Sequence, residues 1–322
     1  MKGDAVMVCK SGEIKVFAGS SGMEFAERVC KYLGSELGKS HSINFSEGNT
    51  FVKIEETVMD KDVYLLQPVA LKPNDDFMEL LFWVDAFKRA SANSVTVIMP
   101  FFSYAKSDKK DEPRVSIRAR VCADAIEVTG ADRVITMDLH SAQVQGFFKI
   151  PVDHLYARPV FCEYIMKKNI ENLVIASPDA GFAKNARRYS SALNVPTVIG
   201  DKQRKANDEK AEILEIIGEV KGKNVIIVDD FTTTCGTLAD MAKGLKQMGA
   251  EDIYACVSHG LLQEIGLEIL DKSCIKELIT TDSVYNPHAE KHPKVKVISV
   301  APLFAEAIRR IHCGETVSEL FD

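Results

Sequence analysis

Asp229 and Asp230 stand side by side, and the seven residues after them, Phe231 to Thr237 (FTTTCGT), bring four threonine hydroxyls, a thiol and a glycine. Carboxylates accept hydrogen bonds, which suits a ligand with neighbouring hydroxyls such as a ribose diol. The hydroxyls of Thr232, Thr233, Thr234 and Thr237 donate beside backbone amides, and together these donors wrap a phosphate monoester with little formal charge. A sugar phosphate would engage both halves. No Lys follows the glycine and the G-x-x-x-x-G-K-[ST] spacing is absent, so this is not the common ATP-binding loop. Thr and Asp are also ordinary cap residues, so a capped helix behind two solvated acids is the plainer alternative.

Two other segments could add chemistry. His140 closes the segment MDLH and Asp179 sits in SPDAG, each after an apolar run. On adjacent faces they could hold Mg2+ bridging a polyphosphate, because that ion keeps waters and substrate oxygens and needs few protein ligands. A hydrogen-bonded structural histidine and a helix-capping aspartate are the alternatives. Residues 201–212 (DKQRKANDEKAE) read as a segment that no core anchors, and so as mobile in the free protein. Lys202 and Arg204 alternate along it, and an extended strand would put both on one side, as a clamp on a transferring phosphoryl group needs. A solvated charged linker is the alternative.

The elements that must position these residues alternate between strand-like and helix-like runs, the pattern of α/β layers with parallel sheets. Val225, Ile226, Ile227 and Val228 form a continuous β-branched run suited to a strand buried on both faces. Leu238, Met241, Ala242, Leu245 and Met248 then recur at helical spacing before Gly249. Loops at the carboxyl ends of such strands are where ligands bind, with amides projecting from the next helix N-terminus. Elsewhere, residues 63–69, 95–102, 133–140, 252–261 and 294–300 read as strands, and residues 74–91 as a long amphipathic helix. Ser21 with Glu24 reads as a capping box. Prolines around residues 150–159 mark a boundary between two similar domains, 1–153 and 154–322, with the last helix near 303–313 free to pack back on the first.

Composition is that of an ordinary soluble chain: 322 residues, 46% hydrophobic and 27% charged. No apolar run approaches a membrane span and residues 1–13 lack a signal-peptide core, so a cytoplasmic protein is expected. A formal net charge of −6 argues against a nucleic-acid surface. The eight cysteines show no C-x-x-C or metal-ligand spacing and read as reduced, mostly packed thiols.

With FSEGN, NDDFMELLFWVDAFKRASA, DKKDEPRVSIRAR, GADRVITMDLHSAQVQGFFKIPVDHLYA, ASPDAGFAK, DKQRKAN, VDDFTTTCGT and ISVAPLFAEAIRRIH in order, the chain resembles the ribose-phosphate pyrophosphokinase family over nearly its whole length. The resemblance implies two domains of the type I phosphoribosyltransferase kind, each a mostly parallel sheet flanked by helices. It implies transfer of the diphosphoryl group of ATP to the anomeric hydroxyl of ribose 5-phosphate, Mg2+ as cofactor, and assembly of like chains into dimers or hexamers. On matching positions, Asp229 and Asp230 would bind ribose hydroxyls. Thr233, Thr234, Cys235, Gly236 and Thr237 would surround the 5-phosphate. His140 and Asp179 would contact Mg2+–nucleotide, and Lys202 and Arg204 would belong to the catalytic loop.

The nucleotide side departs from the family pattern. Lys106, Ser107 and Asp108 stand where Arg-Gln-Asp is usual, and Lys lacks the planar fork of Arg. Phe45 is kept, but Glu47 and Asn49 replace the usual polar pair around it. Phe182, Asn185 and Thr233 also depart, as do Glu112 and Arg118 beside Arg114 and Ser116, where effectors act in the family. A changed or relaxed nucleotide preference is the expectation. A phosphoribosyltransferase would leave the first half unexplained, and a non-catalytic regulatory relative would have no use for Lys202 and Arg204.

Overall fold

The computed structural model describes residues 13–204 and 212–321. The chain divides into two compact units, one made of Met1–Tyr156 with Val300–Asp322 and the other of Ala157–Ser299.

In the first unit the elements run β1 (Ile14–Ala18), α1 (Met23–Leu33), β2 (Ser40–Asn44), β3 (Thr50–Ile54), β4 (Asp62–Leu66), α2 (Pro73–Arg89), β5 (Ser94–Met99), α3 (Arg118–Val128), β6 (Arg133–Met137) and β7 (Val152–Leu155). The sheet order is β1-β4-β5-β6-β7 and every pairing is parallel. All five residues of β4 are buried, which explains why DVYLL lacks the alternation of a half-exposed strand. Helix α2 turns Phe77, Leu80, Trp83, Val84 and Phe87 inward at spacings of three and four. Phe87 packs on Phe17 at 4.8 Å and on Trp83 at 5.8 Å between ring centroids. Truncating one such ring to Ala costs about 3–5 kcal/mol, because the cavity left behind closes only in part. Strands β2 and β3 form an antiparallel hairpin that hydrophobic periodicity missed.

The capping box does not form. Helix α1 has Gly22 at its N-cap with no side-chain cap bond, and Ser21 Oγ instead donates to the Pro68 carbonyl at 2.7 Å. Gly22 is required there for close approach, since an added Cβ would lie 2.2 Å from the Leu66 carbonyl oxygen.

The second unit runs α4 (Arg158–Lys168), β8 (Leu173–Ser177), α5 (Ala183–Leu193), β9 (Thr197–Arg204), β10 (Glu212–Ile217), β11 (Asn224–Thr232), α6 (Gly236–Gln247), β12 (Ile253–Gly260), α7 (Glu264–Lys272), β13 (Ile275–Thr281), α8 (Pro287–Glu290) and β14 (Val295–Ile298). Its seven strands lie in the order β10-β9-β8-β11-β12-β13-β14, with β10 antiparallel at one edge. Strand β11 is central, and Val225 to Val228 are fully buried beside β8 and β12. Strand β9 continues through Arg204, with Lys202 opposite Leu214 and Arg204 opposite Glu212. Residues 201–204 and 212, expected in a loose loop, therefore belong to paired strands; the part of that expectation covering 205–211 falls outside the described residues.

The last helix, α9 (Ala301–His312), belongs to the first unit. Its Phe304 meets Phe25 of α1 edge-on at 5.3 Å, and His312 Nδ1 lies 3.4 Å from the buried Asp62 carboxylate. Cys30, Cys122, Cys162, Cys235 and Cys256 are buried free thiols and Cys274 is an exposed one. Cys313 is disulfide-bonded, which corrects the expectation that all the thiols are reduced.

Candidate functional site

The second unit gathers its polar loops at the carboxyl ends of β8 and β11. These two strands are paired with each other up to Ala176 and Ile227, after which β8 ends at Ser177 while β11 runs on beside β12 to Thr232 before its loop begins. Beyond β8, Ser177 Oγ donates to the Asp179 carbonyl at 2.7 Å, and Asp179 Oδ1 accepts the Phe182 amide at 2.9 Å. Asp179 thus closes the turn ahead of α5, whose N-cap is Phe182 with no side-chain cap bond, and the residue stays exposed.

Beyond Val228, Asp229 Oδ1 accepts the Asp230 amide at 3.0 Å and Asp230 Oδ1 accepts the Phe231 amide at 2.8 Å. Each acid therefore uses an oxygen to shape its own backbone. Burial pushes the Asp229 carboxyl up to about 8, with the neighbouring Asp230 charge adding to the effect and Asp179 contributing less. Asp229 without ligand thus holds its proton over much of the neutral range, which corrects the reading of Asp229 as a pure acceptor. The sequence shows two adjacent carboxylates, but the proton on Asp229 depends on burial first, then on the Asp230 charge, and least on Asp179, fifty residues away in the chain.

In the following loop Thr232 is buried, and its Oγ1 accepts the Cys235 amide at 3.1 Å. That hydroxyl shapes the loop rather than facing a ligand. Thr234 and Thr237 are exposed and Thr233 is half-buried. Cys235 takes a left-handed backbone, φ 58°, just before α6, and no side chain caps that helix. A helix N-terminus with aligned amides and two exposed hydroxyls is built for an anion. Burial pushes the Cys235 thiol up to about 11, so it is a packing group and not a nucleophile at neutral pH.

Three supports of this loop were not read from the sequence. Leu261 donates its amide to the Thr232 carbonyl at 2.9 Å. Gly266 of α7 lies so close that an added Cβ would sit 2.6 Å from the Thr233 carbonyl oxygen. Gly260, next to the paired Thr232, faces Thr280 in the same way at 2.8 Å. Glycines inside or beside regular elements were the available signal, since such positions mark close backbone approach.

In the first unit, His140 is exposed just past β6, three residues beyond Met137. Lys106 ends a 3-10 turn, Ser103–Lys106, and the Ser107 carbonyl accepts the Ala119 amide at 3.2 Å, so this segment is tied to the start of α3. Phe45, Glu47 and Asn49 share the exposed tip of the β2–β3 hairpin, where the Phe45 amide donates to the Asn49 carbonyl at 2.8 Å. The side chains of Lys202 and Arg204 fall outside what is described, and only their backbone register in β9 is fixed.

Among the described residues no group of three or more His, Cys, Asp or Glu side chains forms a metal cage. A hard cation held by one or two protein oxygens or an imidazole, with substrate oxygens completing its shell, fits this arrangement. The mutual repulsion around Asp229 is the kind of charge crowding that such a cation relieves. No helix among the described residues is long and apolar enough to cross a membrane.

Residues 14–130 match the family described as the N-terminal domain of ribose phosphate pyrophosphokinase, and residues 184–322 match the phosphoribosyl synthetase-associated domain. A ribose-phosphate pyrophosphokinase of Campylobacter jejuni is 45% identical over 307 residues, covering 95% of this chain and 98% of that relative. One from Caldanaerobacter subterraneus is 45% identical over 97% of this chain and 98% of its own. The crystal structure of phosphoribosylpyrophosphate synthetase from Mycobacterium smegmatis superposes with a TM-score of 0.88 at 35% identity, covering 93% of this chain and 99% of that one.

Proposed function

Since the chain belongs to the ribose-phosphate pyrophosphokinase family, we propose that it transfers the diphosphoryl group of ATP to the anomeric hydroxyl of ribose 5-phosphate, giving phosphoribosyl pyrophosphate and AMP. The observation that carries this reading is the near end-to-end likeness to such enzymes, 95% of the chain at 45% identity.

In this reading Thr233, Thr234, Thr237 and the amides around Cys235 and Gly236 bind the 5-phosphate, while Asp229 and Asp230 orient the ribose hydroxyls. A carboxyl poised near neutrality, as Asp229 is, can accept from or donate to a sugar hydroxyl. The anomeric oxygen must attack the β-phosphorus in line with the departing AMP oxygen, so positioning and charge stabilisation supply most of the catalysis. Lys202 and Arg204 are proposed to neutralise the charge that develops on the transferred group. His140 and Asp179 are proposed contacts of the Mg2+–nucleotide, whose metal draws charge from the phosphate oxygens.

Phe45, Glu47, Asn49, Lys106, Ser107 and Asp108 are proposed for the nucleotide. Ile43, Phe45 and Phe51 leave large apolar side chains exposed on one hairpin, which supports assembly of like chains into a dimer or hexamer. Work in the cytoplasm is proposed; the buried free thiols are in keeping with it and the disulfide at Cys313 is not.

The test is an assay of purified protein with ribose 5-phosphate, Mg2+ and ATP, GTP or CTP in turn, scored for phosphoribosyl pyrophosphate and nucleoside monophosphate. Product with ATP is expected, with GTP and CTP supporting rates within about tenfold because Lys106 lacks the arginine fork. A steep ATP preference removes the relaxed specificity, and silence with every donor favours a non-catalytic regulatory relative.

A further inference from the structure

His154 sits inside β7, 5% exposed, paired with Thr136 of β6. One residue past the end of β6, Asp138 takes a backbone φ of 40°, in the left-handed region that an aspartate keeps only where its surroundings hold it. Two bonds from β7 hold this turn. The Asp138 amide donates to the Leu155 carbonyl at 3.0 Å, extending the ladder by one step. The next amide, Leu139, donates to His154 Nε2 at 2.9 Å, so the imidazole stands in for a backbone acceptor.

An amide N–H can only donate, so Nε2 carries no proton and the neutral ring keeps its proton on Nδ1. Nδ1 lies 3.2 Å from the Gln145 side-chain amide, which also contacts the Ala142 carbonyl at 2.9 Å. Tyr156 covers the ring, with centroids 4.6 Å apart. Nδ1–H and Gln145 Nε2 are both donors and make no hydrogen bond with each other, so the buried imidazole holds the chain at Leu139, the residue before His140, and only packs beside the turn Ala142–Phe147 after it.

We propose that His154 is a positioning residue for His140: by fixing the Leu139 amide, it sets the direction in which His140 leaves β6 and so lowers the Mg2+ concentration that diphosphoryl transfer requires. This rests on the reading of His140 as a metal contact. A ring that holds another residue's loop acts before any metal arrives, so its loss is visible without metal. Outer partners of metal contacts change metal affinity by about 10–100-fold when removed.

The experiment compares His154→Leu, His154→Gln and His140→Ala in the full chain. Deuterium uptake over residues 138–145 is measured without metal or nucleotide, and the Mg2+ dependence of turnover is measured at saturating substrates. His154→Leu is expected to speed uptake in that segment and to raise the Mg2+ activation constant about tenfold, with kcat at saturating Mg2+ within about threefold of the parent. His154→Gln, whose amide oxygen can accept from Leu139, is expected to recover most of both. His140→Ala is expected to raise the Mg2+ requirement while leaving the Leu139 segment protected. Parental uptake and a parental Mg2+ requirement in His154→Leu, beside a weakened His140→Ala, overturn the positioning role alone. A His140→Ala variant with a parental Mg2+ requirement overturns the metal reading and this inference with it.

Discussion

Two strand-to-helix loops of this chain share a grammar and differ in what satisfies them. In the first unit, Gly19 to Gly22 lead from β1 into α1; in the second, Thr233 to Cys235 lead from β11 into α6. The first loop is filled from within. The Ser20 amide donates to Glu79 Oε1 at 2.9 Å and the Ser20 hydroxyl donates to Glu79 Oε2. Glu79 is 3% exposed and also accepts from Trp83 Nε1 at 3.1 Å and Gln67 Nε2 at 3.3 Å. The second loop spends only the Thr232 hydroxyl on itself and leaves Thr234 and Thr237 exposed. A loop of this kind is completed by an anion, and the two units differ in whether the chain supplies it or the surroundings do.

Placing an acid in the open loop should break the difference most severely. Thr234→Glu is expected to raise the KM for ribose 5-phosphate at least about 100-fold, because a carboxylate there repels the phosphate and competes for its donors. An unchanged KM shows that the phosphate does not sit at this loop. Lys202→Ala separates binding from chemistry: turnover should fall about 100-fold while the sugar phosphate KM moves by less than about threefold. Steady-state kinetics with near-parental kcat would remove Lys202 from the reaction.

Emptying the closed loop is the converse change. Glu79→Ala leaves the Ser20 amide and the Trp83 ring nitrogen without their acceptor, at a cost of about 2–3 kcal/mol, and should lower the melting temperature by roughly 4–10 °C. Added inorganic phosphate should raise the melting temperature of this variant more than that of the parent; an equal response shows that the loop does not recognise anions.

The smallest effect is a pH dependence. The folded Asp229 carboxyl titrates at about 8 and the unfolded one near 3.8, so between those values the folded state binds the extra proton. The stability it contributes is therefore full in acid and declines as pH rises through that window. Asp229→Asn should flatten the decline, leaving the variant more stable than the parent at pH 8.5 and no more stable at pH 4.5. Parallel melting curves at both pH values contradict the raised titration.

What could be read in advance follows from where each signal lies. The run Val225–Val228 and the helical spacing from Leu238 are local, and both formed where the pattern put them. The pairing of β9 with β10 was not legible, because charged residues between them conceal a strand that only its partner defines. Ser21 looked like a cap, but the Pro68 carbonyl that takes its hydroxyl is 47 residues on. Glu79 looked like one more acid in an amphipathic helix, and its role depends on Ser20, 59 residues earlier. The site's residue types were visible in sequence; their proton occupancy, the inward turn of Thr232 and the clearance at Gly266 arise only from packing.

Helix α9 carries a consequence for biosynthesis. Residues Val300–Asp322 follow the whole of the second unit in the chain, yet they complete the unit that begins with β1, through Phe304 on Phe25 and His312 beside Asp62. The nascent first unit keeps the α1 surface around Phe25 uncovered until the second unit has been made, whereas Ala157–Ser299 emerges as an uninterrupted stretch able to fold on its way out.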